Sequence, residues 1–117
     1  MINEIHHVQV TIPRDTEEQA RQFYCLVLGL QEIEKPAVIN ERGGFWLQVG
    51  NRQVHVGAEN SVERMATKAH IAYQVTDLAV LRKHLEDNGV AIQEDVPLPG
   101  LVRFQIRDPF GNKIEFI

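Results

Sequence analysis

His7-Val8-Gln9-Val10-Thr11-Ile12 and His70-Ile71-Ala72-Tyr73-Gln74-Val75 are two versions of one pattern, and the fold follows from reading them together. In each, apolar and polar residues alternate behind a leading histidine, the period-two mark of a strand with one buried face. A second pair of related stretches lies about as far downstream in each half. Gly50-Asn51-Arg52-Gln53-Val54-His55-Val56 answers to Gly111-Asn112-Lys113-Ile114-Glu115-Phe116, after one gap at Gln53. The alignment sets His7 against His70 and His55 against Glu115. A chain that repeats itself with metal-capable side chains at the same two places in each copy is readable in both fold and chemistry.

Between those strands each copy carries the same elements. After the first strand, Pro13 removes an amide donor and ends the ladder, and Asp15 with Glu18 three residues on reads as a capping-box variant opening a helix. That helix gathers Ala20, Phe23, Tyr24, Val27 and Leu28 on one face and stops at Gly29. Residues 31–34, 45–49 and 53–56 read as strands, divided by Pro36, Gly43-Gly44 and Gly50-Asn51. In the second copy Thr76 or Asp77 caps a helix whose Leu78, Leu81 and Leu85 turn inward before Gly89. Residues 90–94, 102–107 and 113–116 complete its strands. The expectation is an α+β fold of two tandem βαβββ modules, about residues 4–58 and 69–117, within one domain, with a polar linker over about 59–68.

Bulk properties narrow the function. The chain has 117 residues, enough for one domain with a real core. A net charge of −4 with interspersed signs gives no basic stripe for nucleic acid and no patch for an anionic membrane. No apolar run reaches the roughly 20 residues of a membrane span, and Met1 leads directly into a strand pattern, so a cytoplasmic protein without a leader is expected. The one cysteine, Cys25, sits in an apolar stretch and reads as a small buried hydrophobe.

Parity sorts the side chains. Val8, Val10 and Ile12 share the face expected to meet a helix, while His7, Gln9 and Thr11 share the other. The same split places His70 opposite Ile71, Glu115 opposite Ile114, and His55 opposite Val54. His7, His55, His70 and Glu115 thus all fall on the side away from the helices. Three imidazoles and a carboxylate suit a divalent ion such as Zn, Ni, Fe or Mn. His6 points the other way by strand parity, and His84 reads as a surface residue of the second helix. Trp46 and Gln48, with Arg103 and Gln105, share the ligand face and are candidate substrate contacts, Trp46 as an apolar wall and Arg103 as a cation for a carboxylate or enolate.

The paired modules, the His-Val-x-Val opening at His7, Phe23-Tyr24 with Leu28-Gly29-Leu30, and above all Asp108-Pro109-Phe110-Gly111-Asn112-Lys113-Ile114-Glu115 resemble the glyoxalase / bleomycin-resistance / extradiol-dioxygenase superfamily, also called vicinal oxygen chelate. The resemblance spans essentially the whole chain. It implies a curved mixed sheet around a cleft, with a divalent metal chelating vicinal oxygens of a small-molecule substrate. Carried over by position, it places metal ligands at His7, His70 and Glu115 and a fourth at His55, where bacterial-type glyoxalase I has glutamate. Glu115 then becomes the one carboxylate able to act as catalytic base. The implied activity is of lyase, isomerase or ring-cleaving dioxygenase type. The alternative is a metal-free protein that sequesters an antibiotic or other ligand. Small members of the superfamily often complete the cleft between two subunits, which implies a homodimer in which His7 and His55 of one chain meet His70 and Glu115 of the other.

Overall fold

A computed structural model describes all residues, 1–117, as two compact units, Met1–Val62 and Glu63–Ile117. The units divide inside the segment expected as a linker. Each unit holds one four-stranded mixed sheet of the same topology.

In the first unit, strand β1 (His7–Ile12) pairs in parallel with β4 (Arg52–Ala58), which pairs antiparallel with β3 (Phe45–Val49), which in turn pairs antiparallel with β2 (Gln31–Ile33). In the second, β5 (His70–Tyr73) pairs in parallel with β8 (Lys113–Phe116), followed by β7 (Phe104–Arg107) and β6 (Gln93–Glu94). A parallel pair requires a crossover, and the chain between supplies a helix each time: α1 (Glu17–Arg21) in the first unit and α2 (Leu78–Asp87) in the second. The α+β class and the doubled βαβββ order are those read from the sequence. No helix is long and apolar enough to cross a membrane.

The helix-facing residues form the cores. Ile12, Ala20, Phe23, Tyr24, Phe45, Leu47, Val54 and Val56 are buried in the first unit, and Leu85, Phe104, Ile106, Ile114 and Phe116 in the second. Each large side chain so placed contributes roughly 1.5–3 kcal/mol of transfer free energy. A polar clasp repeats as well. The Arg21 guanidinium of α1 lies 4.8 Å over the Phe45 ring and pairs with Glu32 of β2, and Arg82 of α2 lies 4.8 Å over Phe104 and pairs with Glu94 of β6. These pairs are largely solvated, so they fix where each helix rests more than they stabilise it.

Two local readings are corrected. The capping box at Asp15 does not form: Asp15 is in the left-handed region at φ 63, the N-cap is Thr16, and the Thr16 hydroxyl donates to the Pro13 carbonyl at 2.6 Å instead of capping the helix. Tight closure of the strand-to-helix turn takes the side chain that would have served. The helix also widens after Arg21 into a π-helical stretch, Gln22–Val27, that keeps Phe23 and Tyr24 buried and leaves Cys25 half-buried, its thiol pushed up by burial. It ends with the Leu30 amide donating to the Tyr24 carbonyl across Gly29, at φ +75.

The second helix is capped as expected, with Asp77 Oδ1 accepting from the Val80 amide at 3.1 Å. Asp77→Ala is expected to cost about 1 kcal/mol in urea unfolding. An unchanged midpoint would show that the cap contributes nothing.

Candidate functional site

The polar faces of the two sheets carry the candidate residues. On the first sheet, His55 sits at the centre of β4, 5% exposed, with the His7 ring stacked on it at 4.0 Å and Trp46 stacked at 3.8 Å and 2°. The Trp46 pairing follows from register, since Trp46 and His55 are directly opposed across β3 and β4. His55 Nε2 lies 2.9 Å from Gln53 Oε1, an arrangement in which the ring donates through Nε2 and Nδ1 keeps a lone pair. Burial first, then the neighbouring charges of His7 and His6, push its pKa down to about 4. His55 is therefore neutral at physiological pH, the form that ligates a metal.

On the second sheet, His70 Nδ1 faces the Lys68 carbonyl at 2.9 Å and so carries a hydrogen, which leaves Nε2 as the ring nitrogen not engaged by the backbone. That Nε2 faces Glu115 Oε2 at 3.3 Å, and Glu115 is 6% exposed. The other carboxylate oxygen accepts from Arg103 at 2.9 Å, and Arg103 also pairs with Asp95 at 3.1 Å. Gln105, opposite Glu115 across β7 and β8, donates its amide to the same Asp95. That hydrogen bond is the main reason Asp95 stays below the usual carboxylate range.

Register shows how far the repeat goes. His7 is opposite Gln53, two residues before His55, and His70 is opposite Lys113, two residues before Glu115. Each parallel strand pair therefore sets its histidine one step along the same face from the second candidate. The structure brings together His7, His55 and Trp46 in one unit and His70, Glu115, Arg103 and Gln105 in the other. Gln48 shares the face of Trp46 but gives its amide to the carbonyls of Gly50 and Arg52 in the β3–β4 turn. Within neither unit do three His, Cys, Asp or Glu side chains gather as a metal-holding group.

The donors fit a divalent ion by their chemistry. His70 gives its second ring nitrogen to a backbone carbonyl, and His55 gives its own to a side-chain amide, the supports that fix tautomer and ring orientation in metal-ligating histidines. Glu115, the carboxylate, is held at one oxygen and faces an imidazole with the other.

Sequence reasoning missed several participants. His6 was expected on the opposite face. It precedes β1 instead, and its Nδ1 lies 3.0 Å from His7 Nδ1, where strand alternation no longer applies. Gln53 could have been found, since it stands two residues before His55 on one face. Asp95 could not, because only loop closure brings it to Arg103. The Asp108-to-Asn112 motif proves structural: Asp108 Oδ1 accepts from the amides of Phe110 and Asn112, and Oδ2 from the Asn112 side chain. This closed loop launches β8 and thereby places Glu115. Together with burial, Asp108 helps push the nearby Tyr73 hydroxyl up to about 12.

Against this geometry stand the comparisons with known proteins. The model of the Glyoxalase/Bleomycin resistance protein/Dioxygenase superfamily matches residues 4–116. A glyoxalase family protein from Bacillus anthracis is 40% identical, with a TM-score of 0.93, over 99% of this chain and 94% of that one. An integron cassette protein from the mobile metagenome of V. Cholerae is 27% identical, with a TM-score of 0.71, over 99% and 94% of the two chains. At 16% identity, and thus for the fold alone, the chain is similar to FosX, a fosfomycin resistance protein from Listeria monocytogenes complexed with Mn(II) and 1S,2S-dihydroxypropylphosphonic acid, with a TM-score of 0.77 over 99% and 90%. No curated protein matches this sequence at a significant level.

Proposed function

We propose that this chain, which belongs to the glyoxalase/bleomycin resistance protein/dioxygenase superfamily, is a divalent-metal-dependent enzyme acting on a small molecule with vicinal oxygens. The observation that carries the reading is the identical offset of His7 with His55 and of His70 with Glu115 on the two parallel strand pairs. Core packing explains why strands alternate. It gives no reason for a histidine at both openings and a second donor at both returns. His7, His55, His70 and Glu115 are the proposed ligands. A divalent ion such as Zn, Ni, Fe or Mn supplies Lewis-acid polarisation of paired substrate oxygens when bound.

The chain's own groups do the rest. Glu115 is the buried carboxylate proposed to take and return the substrate proton, in chemistry of lyase, isomerase or ring-cleaving type. Arg103 acts as a positioning residue, holding Glu115 Oε1 while Asp95 balances its charge. Trp46, Gln48, Arg103 and Gln105 are the proposed substrate-facing residues. The working form is proposed to be a cytoplasmic homodimer. Support for pairing comes from Val96, Leu98, Leu101 and Val102, apolar side chains exposed together in one loop. Sedimentation showing only monomer at assay concentrations would sink that part.

Trp46 gives a direct test, because it is the chain's one tryptophan and lies against His55. Stripped protein titrated with Ni(II) or Mn(II) is expected to lose Trp46 emission in a saturable way, with near-stoichiometric metal by plasma mass spectrometry. Protein that neither carries metal as purified nor takes it up would overturn the metalloenzyme reading and favour ligand sequestration.

A further inference from the structure

The first unit contains a cavity of about 640 Å³, within the size range of small-molecule sites. His7 and His55 contribute to its lining, and Trp46 and Ile39 give it apolar wall. Three permanent cations converge on it from separate segments. Arg14 comes from the turn after β1, Lys35 from the segment that follows β2, and Arg42 from the 3-10 helix Ala37–Arg42. Glu41, exposed, is the one carboxylate among the lining residues.

In this chain of net charge −4, four of the other six arginines pair with carboxylates: Arg21 with Glu32, Arg52 with Glu4, Arg82 with Glu94, and Arg103 with Asp95 and Glu115. Neither Arg14 nor Arg42 has one. Lys35 is held instead by carbonyls, its Nζ donating to Gly43 O at 2.7 Å and more distantly to Gly44 O at 3.4 Å. The backbone that fixes it tolerates no side chain, for a Cβ on Gly44 would stand 2.0 Å from the Val56 carbonyl oxygen and φ there is +80. A glycine-dependent close approach thus anchors an ammonium in the same cavity lining as two guanidiniums that have no carboxylate ion pair.

We propose that this cavity takes a small organic anion, its carboxylate, phosphonate or phosphate held by Arg14, Lys35 and Arg42 and its apolar body lying against Trp46 and Ile39. This names the substrate class for the reading above and rests on it, since the same cavity presents His7 and His55. Arginine forks suit planar or tetrahedral oxyanions, and the tryptophan face suits an unsaturated or alkyl body.

The test uses metal-stripped full-length protein and Trp46 fluorescence, with phenylphosphonate, benzoate and neutral benzamide as probes. The two anions are expected to bind saturably, more weakly as salt is raised, and benzamide at least about tenfold more weakly, the loss of a charged hydrogen bond. Arg14→Gln and Arg42→Gln alter exposed side chains, leave the fold intact by circular dichroism, and each weaken phenylphosphonate by about tenfold. Benzamide binding as well as benzoate, both variants binding like wild type, or no anion binding at millimolar concentration would each overturn the proposal. Metal content of the same samples separates the two readings. Anion binding without metal uptake keeps the anion site and removes the metal; metal uptake without anion binding does the reverse.

Discussion

Glu115→Gln, titrated with Mn(II) or Ni(II) beside the wild type, is expected to bind the ion more than about a hundredfold more weakly, since loss of a supporting partner alone costs 10–100-fold. Glutamine matches glutamate in volume and still offers an oxygen to Arg103, so the substitution removes charge and ligand strength while leaving the packing of β8 intact. Arg103 is not abandoned, because Asp95 remains 3.1 Å away. His70→Ala removes the facing nitrogen and is expected to act in the same direction. Calorimetric titration against a competing chelator reads the effect without any knowledge of the substrate. Wild-type affinity in both variants would remove the second unit from the metal site.

Acid is expected to weaken the stripped protein through His55. Its folded pKa is about 4, below the 6.5 of the free side chain. Above pH 6.5 the ring is neutral in both states and adds no pH dependence. Between 6.5 and 4 the unfolded chain binds a proton that the folded chain does not, so stability falls as pH falls, and below 4 the loss levels off. At 1.36 kcal/mol per unit the full loss is about 3 kcal/mol. The ring's burial between His7 and Trp46 makes the penalty one of packing as well as charge. Urea unfolding of wild type and His55→Gln at neutral pH and near about pH 5 isolates the term, because the carboxylates common to both proteins cancel. Coincident pH dependences would show that His55 titrates normally. Added metal is expected to steepen the wild-type dependence, as ion and proton compete for one lone pair.

Much of this protein was legible before its structure. Alternation in residues 7–12 and 70–75 gave strands with a defined buried face, Pro13 ended the first of them, and Gly29 and Gly89 gave the ends of the helices. The repeat gave the βαβββ order twice, and parity put His7, His55, His70 and Glu115 on the faces away from the helices. Such readings succeed because alternation is a property of the chain itself: once a strand forms, each side chain's face is fixed by its own position. Departures begin where regular structure ends. His6 stands one residue ahead of β1, outside the alternation, and turns to His7. Asp15 gave up its capping role to a turn whose geometry is set by the strand and helix on either side.

What tertiary structure alone decided is the company the candidates keep. Trp46 stacks on His55 because register opposes the two across β3 and β4, and His7 stacks on it from one step along the same face of β1. Arg103, legible as a cation near substrate, is held by Glu115 and Asp95 because the loop after β6 folds back onto β7. Arg14, Lys35 and Arg42 share one cavity although 28 positions separate the first from the last. Local sequence fixes direction of side chains within an element, whereas pairing, loop closure and burial depend on residues far apart in the chain, whose meeting is set by the packing of the whole sheet.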